Sequence, residues 1–117
     1  MNDQLTEIER TIIISILDQH PSVRPQLIDQ LDRLSVESRE PTGVGLYVNF
    51  SSVAVSDPTL NTDLGLSEEI EIPGVPHGAG CVLNVTDGAI HYLEFFTYQE
   101  PWDGNLAQIR IVPSPKE

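Results

Sequence analysis

Apolar residues recur every three or four positions at the start of the chain and every second position thereafter. That change of period divides the sequence into a helical part and a sheet part. Leu5, Ile8, Ile12, Ile13, Ile16 and Leu17 fall on one stripe, which predicts an amphipathic helix from about residue 4 to residue 19. Thr6 followed by Glu9 has capping-box spacing, and Asp3 competes as the N-cap, so two starts about a turn apart stay open. His20-Pro21 ends this helix, because proline disfavours the α conformation in the residue before it. Ser22 then caps a second helix that tolerates Pro25 in its first turn and carries Val23, Leu27, Ile28, Leu31 and Leu34 on one stripe. The two form a predicted helical hairpin over about residues 4–34, and its apolar stripes need a sheet to cover.

From Ser35 the period is two. Val36 to Glu40, the loop Pro41-Thr42-Gly43 and Val44 to Phe50 predict a β-hairpin with Gly43 in the left-handed position and Leu46, Val48 and Phe50 on one face. The apolar phase then moves to Val53 and Val55, which signals a bulge or the end of the strand. Ser56 to Ser67 reads as a polar loop, and Glu68 to Ile72 as a short edge strand with Ile70 and Ile72 inward and charges outward. Pro73 to Gly80 reads as an irregular loop in which Gly78 and Gly80 permit a bulge or close backbone approach. Leu106 to Val112 gives a last strand, with Pro113 to Glu117 as a tail.

The strongest local signal lies between them. Asp87-Gly88 is flanked by apolar runs, and a two-residue type I′ turn needs positive φ at both central residues. Counting outward from that turn pairs Thr86 with Ala89, Val85 with Ile90, Asn84 with His91, Leu83 with Tyr92, Val82 with Leu93 and Cys81 with Glu94. Alternation then gives one face Leu83, Val85, Ile90, Tyr92 and Phe96, and the other Val82, Asn84, His91, Leu93 and Phe95. A hairpin apolar on both faces belongs in the middle of a sheet, with helices on one side and a loop, a terminus or a partner chain on the other. The expected fold is a single α+β domain over 1–117, the helical hairpin packed on an antiparallel meander of about five or six strands at about 35–112.

Charge changes the picture more than size does. Eighteen acidic residues against six basic ones give a net charge of −12, and between Arg39 and Arg110 there are ten acids and no Lys or Arg. Such a field repels phosphate backbones, which disfavours nucleic-acid binding, and attracts basic proteins. Acidic surfaces also serve solubility alone. The sequence shows no basic-then-apolar leader and no apolar run near the roughly 18 residues of a membrane span, so the expectation is a soluble, cytoplasmic protein without membrane contact.

Candidate chemistry is thin. Cys81 is the sole cysteine and is expected to be buried and inert; with His20, His77 and His91 it makes no zinc pattern, so neither metal nor cofactor is expected. The glycine-rich loop lacks the Lys-Ser/Thr of a phosphate loop and precedes a strand. Glu94 among apolar neighbours suits either a general acid or base or a structural carboxylate bonded to the loop around His77. With His91 and His77 it forms the one alternative pocket to test. Aromatic residues Tyr47, Tyr92, Phe95, Phe96, Tyr98 and Trp102 are anchors wherever they are not core.

Pro73 to Trp102, PGVPHGAGCVLNVTDGAIHYLEFFTYQEPW, resembles small bacterial proteins of unknown function in which a Gly-x-Gly approach leads into a strand, an Asp-Gly turn, a Leu-Glu-x-Phe strand, and then Tyr and Trp. The matching positions are Gly78, Gly80, Asp87, Gly88, Leu93, Glu94, Phe96, Tyr98 and Trp102, in about a quarter of the chain. Some proteins of this appearance are toxin-immunity or other accessory proteins, and the resemblance carries no catalytic residue. The leading expectation is a non-enzymatic module that binds a basic protein through Asp57, Asp63, Glu68, Glu69, Glu71, Tyr98, Glu100, Trp102 and Asp103. The alternatives are a small-ligand binder or enzyme using Glu94, His91 and the His77 loop, and a homodimer formed through the second apolar face of the hairpin.

Overall fold

In the computed structural model, which describes residues 4–51, 55 and 57–112, Asp87 and Gly88 have φ of 51° and 82° and close the expected turn. They join two long strands, Val75–Thr86 and Ala89–Thr97, that form the middle of the sheet. Thr86 pairs with Ala89 and Val85 with Ile90, as the turn requires. The next pair is Asn84 with Tyr92, so His91 is bulged out and every later pair moves by one residue. Leu83 therefore faces Leu93, Val82 faces Glu94 and Cys81 faces Phe95, not the partners that an unbroken register assigns. The bulge gathers Cys81, Leu83, Val85, Ile90, Leu93 and Phe95 on one buried face. It leaves Gly80, Val82, Asn84, Tyr92, Glu94 and Phe96 on the other.

Among the described residues seven strands make one antiparallel sheet. In chain order they are β1 (Val36–Pro41), β2 (Gly45–Phe50), β3 (Thr62–Gly65), β4 (Glu69–Ile72), β5 (Val75–Thr86), β6 (Ala89–Thr97) and β7 (Arg110–Val112). Their spatial order is β1-β2-β6-β5-β4-β7, with β3 also on β5. It is not a simple meander, because the chain crosses from β2 to β3 and β6 later fills the place beside β2. The first hairpin has its loop at Thr42-Gly43-Val44, one residue later than expected, with Gly43 at φ 92°. Strand β3 lies inside the stretch expected to be loop: it pairs Thr62–Gly65 with Val82–Val85 but turns only Leu64 inward. Strand β4 does bury Ile70 and Ile72, yet it is interior, since β7 covers its free edge. Strand β5 begins at Val75, inside the expected irregular loop; a bulge sets Ile70 opposite Ala79 and Ile72 opposite Val75. Gly78 makes that bulge possible at φ 67°, where any Cβ would collide with the Ile70 carbonyl.

Helix α1 runs Glu7–Asp18. Thr6 is its N-cap and the capping box is complete, with Thr6 Oγ1 accepting from Glu9 N at 3.2 Å and Glu9 Oε1 from Thr6 N at 2.9 Å. Asp3 lies outside the described residues, as do Val53 and the 113–117 tail. Ile12, Ile13, Ile16 and Leu17 are buried against the sheet, each contributing about 1.5–3 kcal/mol. The second helical segment is shorter than its stripe suggests: α2 spans Arg24–Ile28, a 3₁₀ turn follows at Leu31–Arg33, and no side chain caps α2, so Ser22 does not take that role. Leu27, Leu31 and Leu34 are buried all the same.

Two polar side chains fasten this layer to the sheet. The carboxylate of Glu9 has no exposure and accepts both Arg39 Nε and Nη2, at 2.8 and 2.7 Å, from β1. Gln30, 1% exposed, reads the central turn as a strand would: its Nε2 donates to the Gly88 carbonyl at 2.7 Å, and its Oε1 accepts from Ile90 N at 2.9 Å. At the other end of the same sheet face, Trp102 packs edge-on against Phe95 and its backbone N–H donates to the Gly43 carbonyl. The resulting body measures 42 × 40 × 22 Å, the thickness of one sheet with one layer on it. Among the described residues, no helix is long and apolar enough to cross a membrane.

Candidate functional site

The layer of helices and the Trp102 segment covers one face of the sheet. The opposite face carries the outward residues of every strand. Register aligns them in rows across the strands. One row runs Glu40 (β1), Tyr47 (β2), Glu94 (β6), Val82 (β5) and Gly65 (β3). The row beside it runs Ser38, Asn49, Tyr92, Asn84 and Asp63. A third sets Phe96 opposite Gly80, where the absence of a side chain lets the Phe96 ring lie over the glycine. Tyr98, 57% exposed, meets Phe96 edge-to-face, and Val44, 46% exposed, lies beside it through the Thr97 N–H to Val44 carbonyl bond.

At the middle of this face, the Tyr47 and Tyr92 rings meet edge-to-face, with centroids 5.4 Å apart. A hydrogen bond to Glu94, and then the charge of that carboxylate, raise the Tyr47 phenol above its ordinary value. Burial first, then the charges of Asp63 and Glu94, raise the Tyr92 phenol. Asn84 ties the next row together: its Nδ2 donates to Asp63 at 2.7 Å, and its Oδ1 accepts from Thr86 Oγ1 at 2.6 Å and lies 3.2 Å from His91 Nδ1.

Charge divides between the two sides of the molecule. The open face carries Glu40, Asp63, Glu69, Glu71 and Glu94, with one base among the described residues, Arg110, already paired with Glu71. The helical side pairs more of its charge, although Glu7, Glu68 and Asp103 keep it net acidic. There Arg10 pairs with Asp32, Arg24 with Asp18, Arg33 with Asp29, and Arg39 reaches in to Glu9. Glu40, Asp63 and Glu94 take their hydrogen bonds from Ser38, Asn84 and Tyr47 instead.

The expected partner-binding residues separate accordingly. Asp63, Glu69, Glu71 and Tyr98 lie on or beside the open face. Glu68 bonds Gln19 of the helical layer. Asp57, in the loop against the central turn, accepts from Thr59 Oγ1 and Thr59 N, which together hold its carboxyl below the ordinary range. Asp103 is exposed in the other layer, where its carboxylate accepts from Asn105 N. Trp102, 7% exposed, is a core ring and offers no surface to a partner.

His77, His91 and Glu94 do not converge. Glu100 holds His77, accepting its backbone N–H at 3.1 Å and facing Nδ1 at 3.0 Å, beside a shallow cleft of about 560 Å³ lined by Glu69, Glu71 and Arg110. His91 belongs with Asn84, and Glu94 with Tyr47. The carboxylate that receives the His77 loop is therefore Glu100, the role considered for Glu94. Cys81 is buried, and burial followed by the Glu94 charge pushes its thiol far up, which keeps it protonated and unreactive. Among the described residues no three His, Cys, Asp or Glu side chains are grouped to hold a metal ion.

Sequence reasoning did not single out Tyr47, Tyr92 or Glu40 as a set. The alternation of β2, with Leu46, Val48 and Phe50 inward, already turned Tyr47 outward; the missing piece was the bulge that brings Tyr92 and Glu94 to the same side. Compared with known proteins, the chain matches no family model, and neither the curated proteins nor the solved structures yield a significant match.

Proposed function

We propose that this protein is a non-enzymatic binding module whose open sheet face docks a basic partner protein. The observation that carries the reading is how few of the acids on this face meet an arginine, beside a cluster of aromatic rings. Five carboxylates and one guanidinium, engaged by Glu71, share a face with the exposed Tyr98 ring and the half-buried Tyr47, Tyr92 and Phe96 rings, while the other four described arginines pair with carboxylates on the helical side. Aromatic anchors ringed by charge are the composition of a contact surface, and a one-signed field speeds the approach of an oppositely charged protein. Homodimerisation through the same face is disfavoured, because it would bring ten carboxylates against two guanidiniums. An immunity-type or accessory role is the form that the sequence resemblance gives to this reading.

The test is a comparative capture from the native cell with the intact chain and with a Glu40→Gln, Asp63→Asn, Glu94→Gln variant as baits. A basic protein retained by the first, released by salt and lost by the second supports the reading. A partner held equally by both baits, or no partner, counts against it.

A further inference from the structure

Resting on the reading of the open face as the surface for a basic partner, we propose that its centre is a seat for an arginine side chain. The guanidinium stacks on the Tyr47 and Tyr92 rings and is gripped by the Glu94 carboxylate.

Register fixes the parts of this seat. Glu94 lies directly opposite Tyr47, Tyr92 precedes Glu94 by two residues on the same face of β6, and Glu40 flanks Tyr47 from β1. Carboxylate, ring, carboxylate is thus the order across three neighbouring strands. The two rings meet edge-to-face, which occupies one face of one ring and leaves the other faces free of that contact. Tyr47 also bonds Glu94, which orients that carboxylate at the sheet surface.

Arginine fits these parts better than lysine. Its planar, weakly hydrated guanidinium stacks on aromatic faces and presents paired N–H donors to a carboxylate, whereas an ammonium offers only a compact, strongly hydrated charge. Val82, beside Glu94 in the same row, and Phe96, two residues along β6, supply apolar surface for the methylene stem. Charge complementarity selects the occupant: among the described residues the one guanidinium already on this face, Arg110, is engaged by Glu71.

The experiment is an NMR titration of the full chain with two short peptides, one rich in arginine and one with every arginine replaced by lysine. The arginine peptide is expected to shift Tyr47, Tyr92 and Glu94 and to bind about threefold or more tightly than its lysine counterpart. Tyr47→Leu should abolish that preference while leaving weak charge-driven binding of both peptides. Tyr47→Phe, which keeps the ring, should retain the preference, and the two amide spectra report whether the fold is intact. Equal affinities at these residues would overturn the arginine seat while leaving the basic-partner reading standing. If neither peptide shifts any residue of the open face, both readings are overturned.

Discussion

Arg39 reaches from the outermost strand beneath the sheet and closes a two-bonded fork on Glu9, a carboxylate with no exposure of its own. Glu9 also completes the capping box of α1, so one side chain both starts the helix and fixes it to β1. Replacing Arg39 with alanine leaves that charge buried with only the Thr6 N–H, and is expected to cost about 3 kcal/mol. This is the low end for a buried pair, because the Arg39 side chain is itself a third exposed. Glu9→Gln keeps an oxygen for the cap and should cost less. Urea unfolding midpoints of the two variants measure the difference.

Gln30→Leu tests the second fastening. The apolar replacement fills the same space but strands the Gly88 carbonyl and the Ile90 N–H at a buried site. A loss of about 2–4 kcal/mol is expected from two unmet backbone groups. Hydrogen exchange should accelerate first at Ile90, whose amide loses its acceptor.

Two glycines with nearly the same φ separate conformation from crowding. Gly74, at φ 82°, has open space where a Cβ would go; Gly88, also at φ 82°, has the Asp57 carbonyl there. Gly74→Ala should cost about 1–2 kcal/mol for the left-handed backbone alone. Gly88→Ala should cost roughly 1–3 kcal/mol more for the overlap. Thermal unfolding of the pair reads the gap.

The tyrosines of the open face give a pH signature. Their phenols are raised above the ordinary 10.0, so the folded protein holds those protons more tightly than the unfolded chain does. Their contribution to stability is complete below about pH 10 and is lost as pH rises through the folded values. Glu94→Gln should lower the alkaline midpoint for tyrosinate formation, read by ultraviolet absorbance, and bring the loss of stability closer to pH 10. An unchanged midpoint would mean that Glu94 does not govern Tyr47.

Local chemistry was legible wherever few residues decide the outcome. The Asp87-Gly88 turn, the Thr6 and Glu9 cap and the inward set Leu46, Val48 and Phe50 all follow from short-range rules. Strand β3 escaped because an edge strand with one inward apolar residue, Leu64, leaves almost no alternation to detect. The second helix read long because Leu27, Leu31 and Leu34 keep helical spacing through a chain that actually turns twice. Trp102 shows a different limit: whether an aromatic residue in a turn is core or anchor depends on tertiary contact, here with Phe95. The open face itself was half visible, since its acids were counted correctly but their companions depended on the register of β6.

His91 is a single surplus residue in β6, and it changes sides for the six strand residues that follow, Tyr92 to Thr97, in step with the apolar phase of Ile90, Leu93 and Phe95. Deleting His91 would take out the surplus and leave an even ladder with Leu93 and Phe95 still inward, whereas an unbulged strand that kept His91 and paired it with Asn84 would turn both out to water and drive Glu94 into the oily interior, so the segment should tolerate losing this residue better than losing its bulge.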